Sequence, residues 1–270
     1  MRPSILLINP PIYDFAAYDF WLKPYGLLRI GGMLRGQAQL SLFDFLDRNS
    51  NLLSGVSTTR NEYGRGRYHH EPAPKPACLE DVPRHYKRYG IPRVAFAEYL
   101  RSHEPFDFAL VCGSMTYWYL GVAEVIQDLC RFSPHTQSIL GGIYPALCPE
   151  HAASLGADLT LTTNDSTPLW KLIGLDPDLS QPPLWELYPR LSYGVLKLST
   201  GCPFKCSYCA ARLIRPVFQP RPLSHVLREF ALLLDLGVRD FAFYDDALLI
   251  HPEKTLLPFL KEIQHHHVQV

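Results

Sequence analysis

Ser199-Thr200-Gly201-Cys202-Pro203-Phe204-Lys205-Cys206-Ser207-Tyr208-Cys209 is the stretch on which the reading of this 270-residue chain turns. A C-x3-C-x2-C loop brings Cys202, Cys206 and Cys209 within reach of one small inorganic centre and supplies no fourth thiolate. A [4Fe–4S] cube held this way keeps one iron without a protein ligand, so a small molecule can bind there and the centre becomes chemical as well as electronic. Zinc is the competing reading, since thiolates serve it equally well. Structural zinc wants four closed ligands, commonly from two paired motifs. The remaining cysteines, Cys78, Cys112, Cys130 and Cys148, sit singly, and the nearest histidine, His225, has no ligand-like spacing.

Working outward, Val195-Leu196-Lys197-Leu198-Ser199 has apolar residues at alternate positions and reads as a strand feeding the loop. Beyond it, Ser224 is an N-cap candidate; Val226, Phe230, Leu233 and Leu234 recur at helical spacing, and Gly237 is a natural C′ stop. A second strand is expected at Asp240-Phe241-Ala242-Phe243-Tyr244, ending in Asp245-Asp246, with a helix starting near Pro252-Glu253. Val268-Gln269-Val270 reads as the start of a third.

The cysteine spacing, the Gly201-Cys202-Pro203 opening and the aromatic Tyr208 before the last cysteine resemble the radical S-adenosylmethionine (SAM) superfamily. That resemblance implies that the open iron chelates the amino and carboxylate groups of SAM. Electron transfer then cleaves SAM to a 5′-deoxyadenosyl radical. It also implies that Tyr208 offers its backbone to the adenine and that Asp245 or Asp246 holds the SAM ammonium, a role suited to a carboxylate. Helix capping is the plainer reading of the two aspartates. Lys205 and Arg212 beside the cysteines would raise the centre's potential. An electron donor such as flavodoxin or ferredoxin is the implied protein partner, and the substrate, a small molecule or peptide, stays unidentified. Relatives build about six strand–helix units, so the two counted after residue 193 imply a truncated barrel, and a non-catalytic remnant remains an alternative.

The first half of the chain alternates apolar strands with helices: Ile5 to Asn9, helix Leu27 to Leu34, Leu40 to Phe45, Phe108 to Cys112, helix Val122 to Leu129, Ser138 to Leu140, helix Pro149 to Leu155, and Asp158 to Leu161. That pattern marks a parallel sheet covered on both faces. Ligands in such sheets lie at the carboxyl ends of the strands, which lines up Asn9-Pro10-Pro11, Gly113-Ser114-Met115-Thr116 and Gly141-Gly142-Ile143-Tyr144. These strings, with Pro24-Tyr25-Gly26-Leu27, resemble the N-terminal cobalamin-binding domain of the B12-binding-domain-containing radical SAM proteins. The resemblance opens Ser114, Thr116, Gly141, Gly142 and Tyr144 to contact with cobalamin, although the D-x-H-x-x-G motif of many corrinoid domains is absent. Read without it, Gly141-Gly142 is a turn demanding positive φ, and Ser114 and Thr116 satisfy backbone groups at a strand end.

The expected organisation is therefore α/β. A Rossmann-like domain spans 1–165, with an insertion at 50–92; a turn-rich linker follows at 166–192, and the first part of a partial (β/α) barrel occupies 193–270. The insertion, rich in glycine and proline with the basic and aromatic string Arg84-His85-Tyr86-Lys87-Arg88-Tyr89, reads as a solvated loop or a lid. Net charge is zero with 26 basic and 26 acidic residues, so no overall charge argues for nucleic acid. No apolar run reaches the roughly 18 residues a bilayer span needs. Seven cysteines, three clustered, suit a reducing cytoplasm better than a disulfide framework.

Overall fold

The computed structural model describes residues 2–53 and 63–270; positions 54–62 of the expected lid lie outside the described residues. Five parallel strands form the first sheet: β1 (Ser4–Asn9), β2 (Gln39–Asp44), β3 (Phe108–Gly113), β4 (Gln137–Gly142) and β5 (Leu159–Thr160). They run in the spatial order β5-β4-β3-β1-β2. Strand order thus reverses between β1 and β3, the point where doubly wound sheets open a crevice at their carboxyl edge.

The unbroken apolar runs follow from this topology. Side chains alternate across a strand, so Leu6 and Ile8 of β1 enter one core with Phe43, Val111 and Leu140. Ile5 and Leu7 enter the core on the opposite face with Leu110 and Ile139. Helices α2 (Arg93–Ser102) and α3 (Tyr119–Phe132) cover the first face through Phe96, Leu100, Val122 and Val125. Helix α1 (Tyr25–Met33) covers the second through Leu27. Short helices α4 (Ile143–Leu147), α5 (Pro149–Ala153) and α6 (Thr167–Ile173) complete this half.

The described part of the insertion is built structure at the carboxyl edge of the sheet, not a solvated loop. Ile12–Asp14, Lys87–Tyr89 and His70–Pro72 form a three-stranded antiparallel sheet. Tyr18–Asp19 pairs with Gly66–Arg67. In the basic string, Arg88 points inward and grips Glu124 of α3 with both ends of its fork, at 2.7 and 2.9 Å, while Tyr13 donates to the same carboxylate at 2.6 Å. Tyr86 and Tyr89 are buried beside it. Arg84 and His85 stay exposed, whereas Tyr86, Arg88 and Tyr89 serve internal packing and ion pairing.

In the second half, β6 (Gly194–Leu196) pairs in parallel with β7 (Phe241–Phe243). The expected third strand meets β7 at a parallel bridge between Asp240 and Gln269. Between the cysteine loop and β7 lie α7 (Ala211–Ile214) and α8 (Leu223–Asp235); α9 (Leu256–Ile263) follows β7. Helix α8 ends as Gly237 foretells: at φ 84° its N–H bonds Leu234 O, and Val238 N–H bonds Leu233 O, closing a Schellman motif. Its start differs from expectation. Pro222 is the N-cap, two residues ahead of Ser224, which lies inside the helix without a capping bond; the fixed φ of proline suits it to the start of the turn. Helix α9 begins at Leu256 and not at Pro252: residues 252–255 form turns, and its N-cap Thr255 stands outside the helical region at φ −125° and ψ −77°.

The two halves share packing. Tyr25 and Leu28 of α1 enter the core of the second half with Trp185, Tyr193, Val195 and Phe230. The connecting segment crosses α1 closely enough that a Cβ on Gly32 would stand 2.2 Å from Pro182 O, and one on Gly31 2.6 Å from Leu184 Cδ1. Glycine in a helix interior costs about 0.5–1 kcal/mol relative to alanine; here the missing Cβ lets two backbones meet.

Candidate functional site

The cysteine loop grows from the carboxyl end of β6. Ser199–Thr200 pairs antiparallel with Gln219–Pro220, so the chain leaves and returns at one neck. Gly201 turns the loop at φ 78°, and a Cβ there would lie 2.1 Å from Val217 O. That position admits only glycine, which gives the residue before the first cysteine a steric reason. Cys202 is buried and its N–H donates to Arg215 O at 3.1 Å. Cys206 and Cys209 are exposed. Cys209 N–H donates to Cys206 O at 3.2 Å, and the Cys209 sulfur accepts from Ala211 N–H at 3.5 Å.

All three thiols thus lie on one loop with a backbone donor already turned to one sulfur. Among the described residues, no three His, Cys, Asp or Glu side chains converge closely enough to hold a metal ion. The donor set nevertheless fits an iron–sulfur cluster: three cysteines, no fourth thiolate beside them, and an N–H···S bond of the kind that tunes cluster sulfurs. It does not fit a closed zinc tetrahedron, which needs a fourth ligand. Tyr208 is 90% exposed, leaving its neighbourhood open to a ligand.

The aspartate pair divides. Asp245 accepts from Ser199 N–H (2.6 Å), Ser199 Oγ (2.5 Å) and Leu198 N–H (3.0 Å). Its carboxylate staples the end of β7 to the root of the cysteine loop. Asp246 faces Lys197 across 3.4 Å and keeps a substantially exposed side chain. Neither residue caps a helix, since α9 starts ten residues later.

Along the sheet's carboxyl edge, a narrow cleft of about 20 Å³ lies between β1 and β3, room on the scale of one water. Asn9, Pro10, Lys23, Cys112, Ser114 and Trp118 line it. Asn9 donates to Asp44 at 2.7 Å, and Tyr188 from the connecting segment donates to the other Asp44 oxygen at 2.6 Å. Thr116 opens a single 3-10 turn, Thr116–Trp118. Gly142 stands at φ 117°, and a Cβ there would come within 2.4 Å of Gly113 O, so the turn itself demands this glycine. Gly141 is half-buried, Gly142 exposed. Tyr144 is buried, donates towards or accepts from His151 Nδ1 at 2.5 Å, and has its hydroxyl pushed up to about 12 by burial. Its ring supports α4 from within. Helix α4 packs against α7, so the cysteine loop and the end of β4 adjoin.

A group that sequence reading did not single out joins the halves beneath this site. Glu229, fully buried on α8, accepts from Arg221 at 3.0 Å, from Tyr25 at 3.1 Å and from Trp185 Nε1 at 3.4 Å. Arg221 also bonds Lys197 O and Tyr25 Oη, each at 2.6 Å. Burial holds the Glu229 carboxyl above its ordinary value. The only sequence signal was an acid inside an otherwise apolar helical face.

No family model matches the chain. Over 61 residues it is 41% identical to ribosomal protein uS12 methylthiotransferase RimO of Chlorobaculum parvum, a match covering 20% of this chain and 14% of that protein. Over 151 residues it is 25% identical to threonylcarbamoyladenosine tRNA methylthiotransferase MtaB of Chlamydia pneumoniae, covering 54% and 36% respectively. In three dimensions it is similar to the radical SAM methyltransferase TsrM of Kitasatospora setae. The TM-score is 0.61 at 16% identity, over 97% of this chain and 51% of that one, in a complex with tryptophan and the SAM analogue aza-SAM. A second TsrM structure, with cobalamin and a [4Fe–4S] cluster bound, gives 0.60 at 16% identity. The chain thus spans about half of the solved structures it matches, and a smaller share of these two curated relatives. It has the fold of the B12-binding-domain-containing radical SAM proteins and resembles that family in its cysteine loop.

Proposed function

We propose that this chain is part of a radical SAM enzyme: Cys202, Cys206 and Cys209 ligate a [4Fe–4S] cluster, and the adjoining sheet edge receives a corrinoid. When bound, the cluster supplies the electron that cleaves SAM reductively. The chain's own residues do the rest. Gly201 and the Cys202 N–H bond to Arg215 O fix the first ligand at the neck. Asp245 fixes the angle at which the loop leaves β6. Asp246, the less committed of the pair, holds the SAM ammonium, and Tyr208 flanks the adenine. Residues 1–165 serve as the corrinoid-binding-like unit, 166–192 as the strap across α1, and 193–270 as the opening strands of the barrel. Ser114, Thr116, Gly141 and Gly142 are the surfaces of the first unit that a corrinoid touches; Tyr144 backs them. Methyl transfer or rearrangement at an unactivated carbon is the reaction class, in a reducing cytoplasm with a one-electron donor.

The observation that carries this reading is the three-cysteine loop at the carboxyl end of a parallel strand, adjoining the edge of a five-stranded parallel sheet. Anaerobic reconstitution with iron and sulfide, followed by EPR of the reduced protein with and without SAM, tests it. We expect a cluster signal that changes on adding SAM, and its loss in Cys206→Ala. A signal indifferent to SAM supports a non-catalytic remnant, and stoichiometric zinc without iron uptake supports a zinc module.

A further inference from the structure

The ladder that carries β6 runs out before the cysteines begin. Leu196 is its last paired residue, opposite Phe243, and its carbonyl accepts the Tyr244 N–H at 2.8 Å. Residues 197–201 then lie between the sheet and Cys202, and backbone groups that leave a sheet need other partners. Two residues supply them, one from each side. Asp245 accepts the N–H groups of Leu198 and Ser199. Arg221 serves the carbonyls: its Nη1 donates to Lys197 O at 2.6 Å, and its own N–H donates to Leu198 O at 2.9 Å.

Arg221 is itself held from the interior. Its Nη1 also donates to Tyr25 Oη at 2.6 Å and to Glu229 at 3.0 Å, and its side chain is only 9% exposed. Tyr25 belongs to α1 of the first half, Glu229 to α8 of the second. A guanidinium is planar, with its donors in a fixed fork. Seated on a buried carboxylate and a buried phenol, it sets the place of Lys197 O relative to both helices. Neutralising Glu229 would need only a cation; the reach to Lys197 O goes beyond that. The arm leading into Arg221 continues along the loop: Pro220 and Gln219 pair with Ser199 and Thr200, and Arg215 O accepts the Cys202 N–H. The cysteine arm is therefore tied to its return arm from Lys197 to Cys202, and Arg221 anchors both to the core.

We propose that Arg221 is a positioning residue for the three cysteines: held by Tyr25 and Glu229, it fixes the root of the loop that presents them. The proposal rests on the cluster assignment above. Through Tyr25 the first half of the chain takes part in placing ligands that lie wholly in the second. Groups that orient metal ligands without touching the metal are commonly worth about 10–100-fold in metal affinity, because a ligand set a fraction of an ångström too loose binds poorly.

Two variants separate positioning from stability. Arg221→Met with Glu229→Met removes both charges together, which spares the fold, but it also removes the donor to Lys197 O. Glu229→Gln costs more stability by leaving Arg221 without its counter-charge, yet Arg221 keeps Lys197 O and Tyr25 Oη. Hydrogen exchange of the full chain is followed before iron is added. Each protein is then reconstituted anaerobically, and iron release to a bathophenanthroline chelator is timed in the cold, well below unfolding. We expect the double variant to release iron about tenfold faster than the wild type or more, with faster exchange in residues 197–202. Glu229→Gln, less stable in urea, should match the wild type in both. Release that follows the loss of stability across the two variants overturns the proposal, as does a double variant with wild-type release or wild-type exchange at 197–202. A wild-type chain that takes up no iron refutes the cluster assignment and this proposal with it. One that takes up iron and is indifferent to the double change refutes only the role of Arg221.

Discussion

Replacing Glu229 with glutamine tests whether the two halves are held together by the buried group beneath the site. The carboxylate has no solvent exposure, and the Arg221 side chain beside it is 9% exposed. Glutamine keeps the shape but leaves the guanidinium buried without an opposing charge, and it presents a donor where Tyr25 and Trp185 already donate. Breaking one side of a buried ion pair costs about 3–5 kcal/mol, a large part of the 5–15 kcal/mol by which domains are ordinarily stable. At about 2–4 °C per kcal/mol for chains of this size, melting falls by roughly 6–20 °C. Urea denaturation followed by circular dichroism measures it. The paired change Arg221→Met with Glu229→Met removes both charges and should be less damaging than Glu229→Gln alone, because no unpaired ion remains. A loss below about 1 kcal/mol for Glu229→Gln, the value of an exposed pair, would refute the argument, as would a double variant worse than the single.

Gly32→Ala drives a Cβ to 2.2 Å from Pro182 O; overpacking of this kind costs about 1–3 kcal/mol, and limited proteolysis should cut faster between residues 174 and 190 in the variant. Asp245→Ala strands the Leu198 and Ser199 amides at the root of the loop, at about 1–3 kcal/mol for each buried donor left unmade. Hydrogen exchange should accelerate in residues 196–204 while exchange in β1 and β3 stays as in the wild type.

Where the sequence left the role of a polar residue open, the neighbour it meets in the fold decided its setting. Asp245 and Asp246 were indistinguishable as a D-D pair, yet one is consumed by the neck of the loop and the other faces Lys197. The bases and aromatics of 84–89 resembled a solvated stretch until Arg88 found Glu124, 36 residues away. Tyr144 was grouped with the open edge of the sheet, but its ring is buried and its hydroxyl is engaged by His151.

The amino-acid sequence alone determined what depends on local pattern. Apolar runs covered on both faces dictated the parallel strands of the first half, three cysteines at fixed spacing marked the loop after β6, and Gly237 dictated where α8 stops. Tertiary structure alone decided the rest: the order β5-β4-β3-β1-β2, the close crossing at Gly31-Gly32, and the Tyr25–Arg221–Glu229 group. Periodicity and spacing act over a few residues along the chain. Ion pairs and close backbone approaches depend on distances in space between segments that can lie far apart in sequence, 36 positions for Arg88 and Glu124 and 196 for Tyr25 and Arg221.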